Sequence, residues 1–223
     1  MTRISAAASA NAEPSAECPL CPRLVDYRHA NKAAYPEYCN APAPSFGGED
    51  AKLLVVGLAP GLHGANRTGR PFTGDFAGDL LYATLLKFGF ARGRYGADPT
   101  DGLTLRRAMI TNAVRCAPPQ NKPTPEEIRV CRPFLAARIK ALPQLAAIVC
   151  LGRIAHDSTL AALGVKPKAA PFAHGAAHAF EGGLVLFDSY HCSRYNTNTG
   201  RLTTAMFEDV FRAVDAHLSG AAA

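Results

Sequence analysis

Lys52–Asp75 reads KLLVVGLAPGLHGANRTGRPFTGD, an apolar run that opens into a glycine-rich loop and closes on the only carboxylate of the stretch. Its first part, Lys52–Gly57 (KLLVVG), has no polar alternation, the pattern of a strand covered on both faces as in a parallel sheet. Three further runs share that character: Ala108–Val114 (AMITNAV), Ala147–Leu151 (AIVCL) and Leu184–Asp188 (LVLFD). Helical periodicity fills the intervals. Phe76–Gly89 sets Leu80, Leu81, Thr84, Leu85 and Phe88 on one face, and Pro125–Leu142 follows a candidate N-cap, Thr124, with Glu127 three residues on. Ile154–Leu163 and Leu202–Leu218 repeat the apolar spacing. Strand and helix in alternation predict an α/β fold of three layers, α/β/α, around a mainly parallel sheet.

Ligands of such sheets gather beyond the carboxyl ends of the strands. The rule brings three loops to one mouth: those after Gly57, Val114 and Asp188. In the first, Gly57, Gly61, Gly64, Gly69 and Gly74 permit tight turns and close backbone approach. It is neither a Walker loop nor a dinucleotide fingerprint. Arg67 and Arg70 suit a phosphodiester and Phe72 suits stacking on a base, against the plainer reading of Phe72 as a core anchor and the arginines as solvated surface. Asp75 stands just before the helix predicted at Phe76, where aspartate is a favoured cap. The third loop, Asp188–Arg201 (DSYHCSRYNTNTGR), is polar and carries His191 from the end of a buried strand towards a cleft.

The chain has 223 residues, 48% of them hydrophobic, and a formal charge of +6. These numbers suit one compact domain, expected over residues 17–218, between an Ala/Ser-rich disordered leader (1–16) and a frayed tail (219–223). The positive balance favours a polyanionic partner. No apolar run approaches the roughly 20 residues of a membrane span, and the N-terminal segment lacks the apolar core of a secretory signal, so a cytoplasmic address is expected. Seven cysteines in such a chain do not suggest a disulfide framework. Cys18 and Cys21 form a C-x2-C pair, while Cys116 and Cys131 bracket the Pro-rich loop APPQNKPTPEEIRV. Two such pairs can close on one structural centre, zinc or iron–sulfur. Cys150 falls inside a predicted strand and Cys39 in a loop.

Three strings become specific together: GLAPGLHGANRTGRPFTGD (Gly57–Asp75), RCAPPQNKPTPEE (Arg115–Glu127) and SYHCSRYNTNTGRLT (Ser189–Thr203). In this order, with the cysteine quartet, they resemble the motifs of family 5 uracil-DNA glycosylases, the broad-specificity iron–sulfur branch of that superfamily, from about Cys18 to Leu218. The resemblance implies a four-stranded parallel sheet between helices. It also implies a structural [4Fe–4S] cluster on Cys18, Cys21, Cys116 and Cys131. The implied activity is cleavage of the N-glycosidic bond of uracil, and of other deaminated or modified bases, by a nucleoid-associated monomer acting on DNA. A flipped base would then stack on Phe72, within a pocket of Gly57, Ala59, Asn112 and Asn121. His191 would donate to the uracil O2 as the leaving base becomes anionic, and Asp75 would hold the attacking water near C1′. Other branches place a polar residue two positions after the first motif glycine; here that position is Ala59, which moves the task to Asp75. Arg194, Tyr195 and Asn196 would form the wedge or phosphate clamp, with Arg67, Arg70, Ser193 and Arg201 on the DNA backbone. Cys192 stands where many relatives carry proline, and His63 is read as noncatalytic. Two rivals accompany this reading: an iron–sulfur DNA-binding module without turnover, and a glycosylase of deaminated purines.

Overall fold

Along each parallel strand successive side chains face opposite sides of the sheet, and here that alternation divides the core into two apolar layers. The computed structural model describes residues 12–220. Strand β2 (Leu53–Gly57) lies at the centre, with β5 (Ala108–Asn112) and β6 (Ala147–Leu151) parallel on its two sides, and β8 (Val185–Ser189) continues in parallel beyond β6. Leu53, Val55, Ile110, Val149 and Phe187 pack under α3 (Phe76–Lys87) and α7 (Thr204–Leu218), against Leu81, Leu85, Phe207 and Phe211. Leu54, Val56, Met109, Ile148 and Leu186 face the other way, against Leu135 of α4 (Pro125–Lys140) and Leu160 of α5 (Arg153–Ala162). The expected three layers are therefore present, and the predicted strands and helices agree with the observed ones to within two residues at each end.

The sheet has six strands rather than four, in the order β1-β5-β2-β6-β8-β7. The two additions are antiparallel edges, β1 (Phe46–Gly47) on β5 and β7 (Ala177–Ala179) on β8. Two and three residues are too few to carry a periodic signal. A separate hairpin pairs β3 (Ala91–Arg92) with β4 (Thr104–Leu105).

A third apolar cluster joins α1 (Pro22–Ala34) to α4 through Leu24, Val114, Cys131 and Phe134. Of the expected leader, residues 1–11 lie outside the described residues, as do 221–223 of the expected tail. Glu13, counted with the leader, accepts hydrogen bonds from Arg115, Arg138 and the backbone of Ser45 at 2.7, 2.7 and 3.1 Å. Among the described residues no helix is long and apolar enough to cross a membrane.

Candidate active site

Gly57 ends β2 directly beside Asn112, the last residue of β5. A Cβ on Gly57 would lie 2.5 Å from both Asn112 Oδ1 and Phe72 Cζ, so only glycine leaves these side chains their places. Phe72 is reached through a backbone at φ 54°, and Gly78 in the first turn of α3 accommodates it, since a Cβ there would meet the Phe72 carbonyl. The Tyr95 hydroxyl donates to that same carbonyl at 3.1 Å. Asn112 is 2% exposed, and among the described residues its Oδ1 has no hydrogen-bond partner. A buried amide oxygen left without a donor loses solvation that a ligand can restore.

Asp75 caps α3 with one oxygen, Oδ1 accepting from the Gly78 N–H at 3.2 Å. Its other oxygen, Oδ2, faces Gly61 and Gly64, just before the one-turn helix α2 (Ala65–Thr68). Both readings of this residue, cap and reactive carboxylate, thus find an oxygen. Burial raises its pKa above the ordinary carboxylate value, against the pull of the backbone donors at Gly78 and Ala77.

His191 follows β8 and its ring stacks near Phe72, with centroids 6.0 Å apart and planes at 28°. Gly152 lies against it in a left-handed-region backbone, φ 95°, that favours glycine. Burial pushes the His191 pKa down to about 4, so the imidazole is neutral near pH 7 and retains one N–H to donate. The loop is fixed by Asn196, whose side-chain amide donates to the His191 carbonyl at 2.8 Å, and by Cys192, whose thiol donates to the Ala77 carbonyl at 3.4 Å. Below it, the Asp188 carboxyl spans two imidazoles, 2.7 Å from His156 Nδ1 and 3.3 Å from His178 Nε2. Nothing in the strand pattern foretold this trio, because its members come from α5, β7 and β8.

Phe72, Asp75, Asn112, Asn121 and His191 line one cavity of about 650 Å³, with Ala59, Ser193 and Arg194 also on its wall. Gly57, expected in the pocket, is not on its wall; it packs behind Asn112 and Phe72. Tyr27, His63 and Gln120 join them without having been singled out as ligands; Gln120 was legible only as the neighbour of Asn121. The His63 Nδ1 pairs with the Tyr38 hydroxyl at 3.0 Å. A second cavity of about 380 Å³ shares His191 and is lined by Arg153, Asn196 and Arg201.

The arginines divide. Arg67 is exposed, with Nε donating to the His63 carbonyl at 2.9 Å. Arg194 lies over Phe76 and Arg201 over Tyr190, guanidinium to ring centroid 5.2 and 4.6 Å. Tyr195 is 71% exposed, and Ser193 caps the short helix α6 (Arg194–Asn198). Arg70 corrects the expectation of a DNA contact. It is 5% exposed and grips Asp101 with both terminal nitrogens at 2.9 and 2.7 Å, beneath Phe46, Tyr82 and Tyr95. A guanidinium neutralised and enclosed in this way cannot reach a phosphate.

Cys18, Cys21, Cys116 and Cys131 converge on an apolar pocket with Leu24, Arg28 and Phe134. Burial and the neighbouring thiols push Cys21 up to about 11 and Cys116 up to about 12. Thiols so placed ionise in the presence of a cationic centre. Cys150 is buried in β6, and Cys39 lies exposed and away from the four.

Comparison with known proteins agrees with this geometry. The family described as "Uracil DNA glycosylase superfamily" matches residues 44–215. The chain is 48% identical over 198 residues to a type-5 uracil-DNA glycosylase of Thermus thermophilus, covering 86% of this chain and 90% of that one. It is 44% identical to a type-5 uracil-DNA glycosylase of Mycobacterium leprae (87% and 89% covered) and 40% identical to one of Pyrobaculum aerophilum (87% and 86% covered). With the motifs at the mouth of the sheet and the match running through nearly the whole described domain, the chain belongs to the uracil-DNA glycosylase superfamily and, within it, to the type-5 group.

Proposed function

We infer that the protein is a DNA-repair hydrolase that excises uracil from DNA by cleaving its N-glycosidic bond. The observation that carries this is the single cavity in which Phe72, Asn112, Asp75 and His191 meet. A target nucleotide must leave the stack to reach such a cavity. There Phe72 offers a ring face and Asn112 an amide to the pyrimidine edge. As the bond breaks, charge develops on two fragments, and electrostatic stabilisation of both is the main task. His191, neutral near pH 7, donates its N–H to the carbonyl oxygen of the departing base. The free Asp75 oxygen orients water at the sugar and steadies its oxocarbenium-like charge; ionised, it accepts the water's proton.

The reading extends to other deaminated bases because a cavity of about 650 Å³ leaves room beyond a pyrimidine. Arg194 on the cavity wall and the exposed Arg67, Tyr195 and Arg201 are the side chains that would meet the DNA strand. The cysteine quartet fits a [4Fe–4S] cluster. The four thiols converge on one apolar pocket, with Arg28 Nη1 3.9 Å from Cys116 Sγ, a lining that suits a buried, thiolate-held centre. A bound cluster would be held by Cys18 and Cys21 before α1, Cys116 in the loop after β5 and Cys131 within α4, and would tie these segments together; the backbone N–H of Arg115 donates to Cys131 Sγ at 3.4 Å.

The test is a panel of duplexes containing uracil, hypoxanthine or ethenocytosine, incubated with the iron-loaded protein and assayed for free base. Uracil release with abasic-site formation is expected. Tight binding without release from any duplex would establish the binding-only alternative, and release of hypoxanthine alone would establish the purine one. Iron and sulfide at four each per chain, with visible charge-transfer absorption, are expected for the quartet; stoichiometric zinc would overturn the cluster.

A further inference from the structure

The loop that carries Asn121 holds an unfavourable backbone. Gln120 and Asn121 lie consecutively in the left-handed region, at φ 55° and 57°. Asparagine tolerates that region through its short polar side chain; glutamine has no such help. Two adjacent residues stay there only where surrounding contacts over-determine them. Both line the cavity, and Asn121 Oδ1 approaches the same Gly61 that Asp75 Oδ2 faces, at 4.0 and 3.5 Å from the place of a Gly61 Cβ. The strained turn therefore aims an amide at the region where water and sugar would meet.

What holds the turn comes from the other end of the sequence. Arg23, in the first turn of α1 and two residues after Cys21, donates from Nη2 to the Lys122 carbonyl at 3.1 Å. Its Nε and Nη2 also grip the two oxygens of Glu127, each at 2.7 Å. Glu127 in turn accepts from the Thr124 N–H at 2.7 Å, completing the capping box that starts α4. The residue after the strained pair and the helix that ends the loop are thus tied to one guanidinium. A planar fork satisfies these acceptors together, whereas the point charge of lysine cannot reproduce that geometry.

We propose that Arg23, through Glu127 and the Lys122 carbonyl, is a positioning residue that locks Gln120 and Asn121 over the cavity and so sets the rate of base release. Arg23 does not line the cavity. The proposal rests on the uracil-excision reading for its kinetic part and on the loop contacts alone for the rest.

The experiment compares full-length wild type with R23Q, R23K and N121A, and with R23Q combined with N121A. Single-turnover release of uracil from a duplex is measured at saturating enzyme, alongside hydrogen exchange of the Gln120–Lys122 amides and the visible absorption of the quartet's centre. R23Q is expected to slow release tenfold or more, to speed amide exchange in the loop, and to leave the absorption unchanged. R23K is expected to recover only part of the loss. In the N121A background R23Q should have little further effect, because the residue that it positions is gone. A wild-type release rate in R23Q, or losses that multiply fully in the double variant, would overturn the proposal. Should wild type release no base from any duplex, excision fails as a reading, yet exchange still decides the latch: faster exchange in R23Q supports it, and unchanged exchange overturns it.

Discussion

Gly64 leaves open the space that Asp75 uses: a Cβ on Gly64 would stand 2.5 Å from Asp75 Oδ2 and 3.1 Å from its Cβ. The free carboxylate oxygen is therefore framed by backbone, with its partner oxygen held on the Gly78 N–H. Replacing the charge without the shape separates the two duties. Asp75→Asn keeps a side chain that caps as well as aspartate to within a few tenths of a kcal/mol, and it relieves the burial of a charge. Its unfolding midpoint in urea should equal or exceed that of wild type near neutral pH, while single-turnover release of uracil falls by roughly a hundredfold or more. Wild-type release in this variant would remove Asp75 from the chemistry.

Acid dependence follows from two groups shifted in opposite directions. Burial raises Asp75 above the ordinary carboxylate value and lowers His191 to about 4. Under the proposed role release needs ionised Asp75, so the rate should climb through that raised pKa and then level off, with no limb that belongs to His191 at the ordinary imidazole value of about 6.5. A bell with a midpoint near neutrality that disappears in His191→Gln would contradict the assignment.

Stability carries the same signature. The unfolded chain protonates His191 at about 6.5, whereas the folded one holds it neutral down to about 4. Between those values the unfolded state binds more protons, so the stability due to His191 is lost as pH falls through that window. Urea melts at pH 7 and pH 4.5 should show a smaller drop for His191→Gln than for wild type; equal drops would refute the depressed value.

Arg70 gives a contrast with the surface arginines. Its enclosed pair with Asp101 makes Arg70→Ala costly, about 3–5 kcal/mol as for other broken buried pairs, measured by urea denaturation. The slope of DNA affinity against salt should not change, because no phosphate contact is lost. Arg67→Ala should do the reverse, with little effect on stability and a shallower slope.

Tyr195, 71% exposed and next in sequence to Arg194 on the cavity wall, is the side chain we propose to enter the DNA helix. Tyr195→Ala should unfold within about 0.5 kcal/mol of wild type. Release from a uracil paired with adenine should slow more than release from an unpaired one, for which little unstacking has to be offset. Equal slowing on both substrates would assign Tyr195 to another task.

The fold was legible wherever burial imposes a pattern. Val55 and Val56 announce a strand covered on both faces, and Thr124 with Glu127 announces a helix start that the structure realises as a capping box. Legibility ended where a residue's surroundings come from distant elements. Arg70 sits in a string that suggests phosphate contact, yet Asp101 lies 31 residues away with no local cue that joins them. Glu13 appeared to belong to a polar leader because its partners, Arg115 and Arg138, are more than 100 residues downstream. The site was readable as motifs, and the meeting of Asp75 and His191 at one cavity follows from the topology of parallel strands, whose carboxyl ends share a side. The contacts that hold Asn121 were not readable, since a guanidinium near the N-terminus supplies them.

The short flanks of the sheet bear on how copies of this protein can share a substrate. Phe46–Gly47 on one side and Ala177–Ala179 on the other offer too few unpaired rungs to template another chain. Many molecules can therefore crowd along one polyanion, each with its catalytic mouth turned to it, without knitting into a ribbon.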